Sequence, residues 1–316
     1  PLVFTHHTRY EEYTHYVPVD SPALKAFVIE LATRYANLAD RVFAPSESIR
    51  DLLLERGVTT PVQVIPTGVY VERFAAGDRN AARRRWELPA DAFVVGHMGR
   101  LAEEKNIGFL ADAVAAFLAG AGDRYFLVVG SGDAEADLVE RFRAAGLAER
   151  LVCSGVLEGQ ALADAMNAMD VFAFASQSET QGMVLTEAMA AGLPVVGLDA
   201  PGVREVVRDR HNGRLVATAS PAAFADALGW VHDRLAAGED GLAASARETA
   251  EAFSMARSAA AAVACYRELQ RSSDAGRAEQ DDLWDQVRNR IRAELEILSS
   301  LTAAGDGALE ESQRER

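Results

Sequence analysis

Residues 171–197 read VFAFASQSETQGMVLTEAMAAGLPVVG, and three kinds of pattern follow one another within them. Val171 to Phe174 is a short apolar run suited to a buried strand. Ser178-Glu179-Thr180-Gln181-Gly182 is a polar loop, and Met183 to Ala191 then has the composition of a helix. Pro194 to Gly197 is again strand-like. Strand, helix, strand with no hairpin turn implies a right-handed crossover onto a parallel sheet.

The same alternation extends in both directions. Upstream, strands are expected at Ala92 to His97, Tyr125 to Val129 and Leu151 to Cys153. Helices are expected at Asn106 to Leu118, Ala134 to Ala145 and Gln160 to Ala168. Downstream come a strand at Gly213 to Val216, a helix opened by Ser220-Pro221, and helices near Leu242 to Glu251 and Ser254 to Arg271. Before this series, Leu2 to Thr5, Arg41 to Ala44 and Val62 to Ile65 read as strands around helices at Ser21 to Leu38 and Ser46 to Arg56. Three strands make a short sheet for a doubly wound domain, so the front of this first domain is expected to be missing. Pro66-Thr67-Gly68 breaks the pattern, and the polar stretch through Ala90, with Arg83, Arg84 and Arg85, reads as an interdomain linker plus a short helix.

The expected organisation is therefore α/β: a first domain over 1–66, a second over 67–252, a helix at 253–271 returning toward the first, and a polar tail at 272–316. The tail carries one amphipathic candidate helix with Leu283, Val287, Ile291, Leu295 and Leu298, read as a docking face. With 316 residues and 49% apolar content, two domains with real cores are within reach. A formal charge of -15 argues against sequence-independent nucleic-acid binding, which needs clustered Lys and Arg. Cys153 and Cys265 are far apart and read as small core residues, which suits a reducing compartment. No run approaches the roughly 20 apolar residues of a membrane-spanning helix.

In open parallel sheets, ligands bind beyond the carboxyl ends of the strands, near helix N-termini. Four places carry suitable residues there. Gly99-Arg100 and Lys105 follow the strand at 92–97, where two cations suit a diphosphate; pairing with Glu103 and Glu104 is the plain alternative. Gly182 opens the helix at 183–191, whose first amides at Met183, Val184 and Leu185 favour an anion, with Glu179 before it and Glu187 one turn inside. Gly130-Ser131-Gly132 is a strand-to-helix turn without the full dinucleotide fingerprint, because position 135 is Glu. Finally, Thr5 to Tyr16 sets His6, His7, His15, Tyr10, Tyr13 and Tyr16 after the first strand.

Taken in order, these motifs resemble glycosyltransferase family 4. Glu179 and Glu187 around Gly182, continuing into Ala188-Met189-Ala190-Ala191-Gly192-Leu193-Pro194-Val195, are the most specific part. Pro45-Ser46, Ile65-Pro66-Thr67-Gly68-Val69, Gly99-Arg100 to Lys105, Gly202-Val203-Arg204-Glu205-Val206-Val207 and Asn212-Gly213 agree with it. The resemblance covers about Pro1 to Arg271 and implies GT-B architecture: two Rossmann-like domains facing a cleft, the first incomplete at its N-terminus, plus a helical C-terminal tail. It also implies retaining transfer of a hexose from a nucleotide-diphosphate sugar.

By that resemblance, His7, Arg100, Lys105 and Glu179 are catalytic, with His7 facing the sugar. Gly99, Arg100, Lys105, Gly130, Gly132, Val156, Glu179, Gly182, Met183, Val184, Leu185 and Glu187 hold the donor, Glu187 at the ribose. Segment 7–18 is similar to bacterial diacylglycerol α-glucosyltransferases. This implies UDP-glucose as co-substrate and a lipid or other small hydroxyl acceptor approached by Tyr10, Tyr13, His15 and Tyr16. It also implies a cytoplasmic protein in peripheral contact with the inner membrane face. No strand-end carboxylate pair suggests a metal, and no cofactor beyond the nucleotide sugar is expected. Lys25, Arg34, Arg41, Arg50 and Arg56 alternate with Asp20, Glu30, Asp40, Glu47, Asp51 and Glu55, so the first domain has no strongly basic stretch. A glycoside hydrolase would also use two carboxylates, but has no diphosphate leaving group for Arg100 and Lys105 to stabilise. A noncatalytic sugar-nucleotide-binding module is the other reading.

Overall fold

The structure, a computed structural model, describes residues 1–9, 21–277 and 290. The chain divides into two compact units. Unit 1 holds Pro1–Ala44, Arg50–Gln63 and the described residues from Ala262 onward, and unit 2 holds Pro45–Ile49 and Val64–Ala261. Tyr10, Tyr13, His15, Tyr16 and the amphipathic segment of the tail lie outside the described residues.

Unit 1 is built on strands β1 (Val3–Thr5), β2 (Arg41–Ala44) and β3 (Val62–Val64), in the order β1-β2-β3, with β1 parallel to β2. Helix α1 (Pro22–Asn37) joins the first two; Ser21 caps it by accepting the Leu24 N–H at 3.1 Å, and Pro22 suits the first turn. Helix α2 (Glu47–Glu55) follows β2. Asn37 then ties the C-terminal side of α1 to the approach to β3, its Oδ1 accepting the Thr59 N–H at 2.7 Å. Cys265 is buried here, as its surroundings in the sequence suggest, and Phe43 packs on Tyr266.

Unit 2 has six strands: β4 (Phe93–Met98), β5 (Arg124–Val129), β6 (Leu151–Cys153), β7 (Val171–Phe174), β8 (Val195–Leu198) and β9 (Gly213–Val216). All neighbouring pairs are parallel and the order is β6-β5-β4-β7-β8-β9. The strands are apolar on both sides because both faces are covered. Val94, Leu127, Val129, Phe172 and Phe174 enter one core, while Val95, Phe126, Val128, Val171 and Ala173 enter the other. The first core packs against α3 (Val71–Ala75), α4 (Arg79–Arg85), α7 (Gly159–Ala168), α8 (Met183–Ala190), α9 (Pro201–Arg204) and α11 (Gly241–Ala252). The second packs against α5 (Ile107–Leu118), α6 (Glu135–Ala144) and α10 (Pro221–Ala236). Helix α12 (Met255–Arg277) follows and runs six residues beyond the expected Arg271.

Two expectations are corrected. The 66–90 stretch is not a linker: α3 and α4 belong to unit 2, and Arg83 is buried to 3% exposure. Its guanidinium donates to the carbonyls of Ala168, Pro89, Ala90 and Ala92 and to Asp170, which also accepts from Arg79 and the Val94 amide. An arginine is tolerated there because its donors meet fixed acceptors and a carboxylate. Cys153 is only half-buried, since β6 is an edge strand; burial still pushes its thiol up to about 11.

Candidate active site

Strand order locates the site. From β4 the chain steps outward through β5 and β6, and the next strand, β7, returns to the other side of β4. This reversal between β4 and β7 is a topological switch point, where the loops beyond two adjacent strands diverge and leave room for a ligand. The loops in question are Gly99 to Lys105 after β4 and Ala175 to Gly182 after β7.

Glycines shape the β4 side. Gly130 has φ +135°, and a Cβ there would lie 1.9 Å from the Gly99 carbonyl oxygen. At Gly132 a Cβ would lie 2.3 Å from the Leu101 oxygen. The two turns are thus pressed backbone to backbone, joined by Gly99 N–H to Val129 O at 3.0 Å and Leu101 N–H to Ser131 O at 3.0 Å. Gly130 also donates to Gly155 O at 2.9 Å, which brings the start of the 155–156 turn alongside; Val156 is 67% exposed.

Two cations stand beyond these turns. Arg100 pairs with Glu104. Lys105 reaches across to the β7 loop, its Nζ donating to Glu179 Oε1 at 2.5 Å, with both side chains mostly shielded. The pair joins residues 74 positions apart and is a consequence of β4 lying beside β7. Asn106, at φ +57°, turns the chain into α5 and donates to Ala175 O at 3.3 Å.

On the β7 side, Gly182 takes the left-handed conformation, φ +71°, that starts α8. The Leu185 N–H donates to the Gly182 carbonyl at 2.9 Å and its side chain is fully buried, which corrects its place among the free first-turn amides. Met183 and Val184 remain at the helix start, Met183 with 41% exposure. Glu187 sits one turn in, where burial raises its carboxyl to about 7, with Arg73 of α3 acting in the opposite direction. His7 is exposed and belongs to unit 1.

Several residues at the site were not singled out by their spacing. His97, one residue before the end of β4, is buried; its Nδ1 lies 3.1 Å from Ala173 O and its Nε2 has no partner among the described residues. Burial lowers it to about 4, so the ring is neutral, and the carbonyl at Nδ1 selects the tautomer that leaves a lone pair on Nε2. Gln181 is buried and bonds twice to the backbone of Thr67. Ser46 donates to the Thr180 carbonyl at 2.6 Å. Only their tertiary neighbours distinguish these from ordinary polar residues.

Among the described residues, no three His, Cys, Asp or Glu side chains group as metal ligands, and no helix is long and apolar enough to cross a membrane.

A family profile described as "Glycosyl transferases group 1" matches residues 92–234, and one described as "Glycosyltransferase Family 4" matches 1–73. A GDP-mannose-dependent α-mannosyltransferase of Mycobacterium tuberculosis is 37% identical over 180 residues, 57% of this chain and 44% of the relative. An α-monoglucosyldiacylglycerol synthase of Streptococcus pneumoniae is 29% identical over 220 residues, 68% of this chain and 50% of the relative. The chain therefore matches about half the length of each. The crystal structure of Anabaena Alr3699/HepE in complex with UDP and glucose aligns with a TM-score of 0.71 at 24% identity, over 85% of this chain and 72% of that one. The strand order of unit 2 and this structural likeness give the GT-B fold, and the two profiles, matching 1–73 and 92–234, place the chain in glycosyltransferase family 4.

Proposed function

We propose that this chain is part of a retaining, metal-independent hexosyltransferase that takes the sugar from UDP-glucose and gives it to a lipid hydroxyl, with diacylglycerol as the acceptor. The observation that carries the donor half is the meeting of Lys105 and Glu179 at the β4/β7 switch point, between the glycine turns and the start of α8. A diphosphate exchanges readily into such a pair: it takes over Lys105 and Arg100, and a sugar hydroxyl donates to the released Glu179 carboxylate. As the sugar C1–oxygen bond breaks, charge grows on the departing diphosphate. On this reading Lys105, Arg100 and the amides of Met183 and Val184 stabilise that charge as it develops. The acceptor oxygen bonds to C1 on the face the diphosphate leaves, and its proton ends on the released phosphate or in solvent. Glu187 receives the ribose hydroxyls. The roles of His7 and of Tyr10, Tyr13, His15 and Tyr16 rest on the resemblance of segment 7–18. So does a place at the cytoplasmic face of the membrane.

The lipid acceptor is supported by the name of the pneumococcal relative, an α-monoglucosyldiacylglycerol synthase, and the UDP donor by the ligands named for the Anabaena protein. The mycobacterial relative, named for GDP-mannose, favours a second donor. A transfer assay on the full-length protein separates these: UDP-, GDP- and ADP-sugars are offered with diacylglycerol-containing liposomes and excess chelator. Transfer of glucose from UDP-glucose to lipid is the expected result. Donor hydrolysis without lipid product would move the acceptor to a soluble sugar or polyol, and binding of no donor would leave a noncatalytic module. Activity that disappears in chelator and returns with Mg²⁺ or Mn²⁺ would overturn the metal-free mechanism.

A further inference from the structure

We propose that Gln181 is a positioning residue for the donor loop, its carboxamide clamping residues 179–182 to the backbone of Thr67. The inference rests on the donor-site reading above and adds to it the group that sets the loop's geometry. Gln181 is 2% exposed. Its Oε1 accepts the Thr67 N–H at 2.7 Å and its Nε2 donates to the Thr67 carbonyl at 2.8 Å. The side chain thus presents to Thr67 the donor and acceptor that a neighbouring strand would offer, 114 positions away in sequence.

The anchor is firm on its own side. Val69 N–H donates to Phe253 O at 2.9 Å and Met255 N–H to Val69 O at 2.8 Å, and a Cβ on Gly68 would meet the Met255 Cα at 2.4 Å. The loop carries what the proposed reaction needs. Glu179 is two residues before Gln181, and Gly182, whose left-handed φ aims the first amides of α8, is the residue after it. The Ser46 bond to Thr180 O holds the next residue back, and Gly202 comes so near Glu179 that a Cβ would lie 2.6 Å from its carbonyl oxygen. Of the three, only the Gln181 clamp uses both a donor and an acceptor, and so fixes orientation as well as distance. An apolar residue would fill the same space but leave the Thr67 groups facing it without these two partners.

The test uses the full-length protein and three forms, wild type, Gln181→Met and Gln181→Glu. UDP and GDP affinity is measured by calorimetry and folding by thermal unfolding. Methionine keeps the bulk and removes both bonds, and is expected to weaken nucleotide binding by about tenfold to thirtyfold, the factor for two ordinary hydrogen bonds. Glutamate offers a second, independent readout. Protonated, its carboxyl donates to the Thr67 carbonyl and accepts from the Thr67 N–H, as the amide does. Ionised, it has no donor and sets a charge against that carbonyl. The affinity of Gln181→Glu relative to wild type at each pH is therefore expected to recover as pH falls from about 8 to about 5.5, and the ratio cancels the titration of Glu187. If the methionine form does not fold, this ratio alone decides. Wild type that binds a nucleotide, with a folded Gln181→Met within twofold of it or a Gln181→Glu ratio flat in pH, would overturn the positioning role and leave the donor site standing. Wild type that binds neither UDP nor GDP would remove the donor-site reading, and this inference with it.

Discussion

Replacing Glu187 by Gln isolates a group whose burial has a cost. Its carboxyl rises from 4.5 to about 7, chiefly by desolvation, and Arg73 offsets only part of that. A carboxyl raised in the native state binds its proton more tightly folded than unfolded, so its contribution to stability is greatest in acid and is lost as pH rises through about 7. The shift of about 2.5 units corresponds to about 3 kcal/mol between the acidic and alkaline limits. At about pH 5 the unfolded carboxyl is already mostly ionised, so roughly 2.5 kcal/mol of the change falls between about pH 5 and pH 8. Glutamine fits the same space without a charge. The stability of Glu187→Gln minus wild type, from urea unfolding, is therefore expected to grow by about 2–3 kcal/mol across that interval. Nucleotide affinity is expected to fall, because the ribose loses its charged acceptor. A stability difference that stays flat with pH would refute the burial argument, and unchanged nucleotide affinity by calorimetry would remove Glu187 from the ribose.

Arg83→Met is expected to cost about 3–5 kcal/mol in urea unfolding, because Asp170 loses its most buried counter-charge and four carbonyls lose their shared donor; a loss under about 1 kcal/mol would show that the cluster relaxes easily. Gly130→Ala and Gly238→Ala both place a Cβ at positive φ, but only at Gly130 does it strike backbone, 1.9 Å from Gly99 O, whereas nothing lies within 4 Å at Gly238. Gly238→Ala is expected to lower stability by about 1 kcal/mol and Gly130→Ala by several times more, with loss of nucleotide binding; equal effects would mean that the close approach does not matter. Lys105→Met is expected to weaken UDP or GDP binding by at least about tenfold, because a charge-assisted contact to diphosphate is lost. Unchanged affinity in the folded variant would take Lys105 out of the site.

The alternation of apolar runs and amphipathic helices was legible because periodicity is a local property: a strand such as Phe172–Phe174 is apolar throughout whatever lies beside it. Glycine positions were legible for a similar reason, since Gly182 and Gly130 meet backbone conformations that other residues avoid. Thus the parallel α/β class, nearly every strand, and the loops able to hold a ligand were determined by the sequence itself. The stretch through Ala90 reads as a linker with a short helix because it is largely polar, whereas α3 and α4 pack within the second unit. Arg83 is buried where Ala168 of α7 and Asp170, more than eighty positions away, join the nearby Pro89, Ala90 and Ala92 carbonyls as its acceptors. The same holds at the site. Arg100 and Lys105 were equally able to pair with the neighbouring acids; placing β4 beside β7 sent Lys105 to Glu179 and left Arg100 with Glu104. The neutral state of His97, the raised carboxyl of Glu187 and the clamp of Gln181 on Thr67 likewise depend on burial and on partners remote in sequence. Desolvation and hydrogen-bond satisfaction are set by what surrounds a group in three dimensions, and strand order decides that.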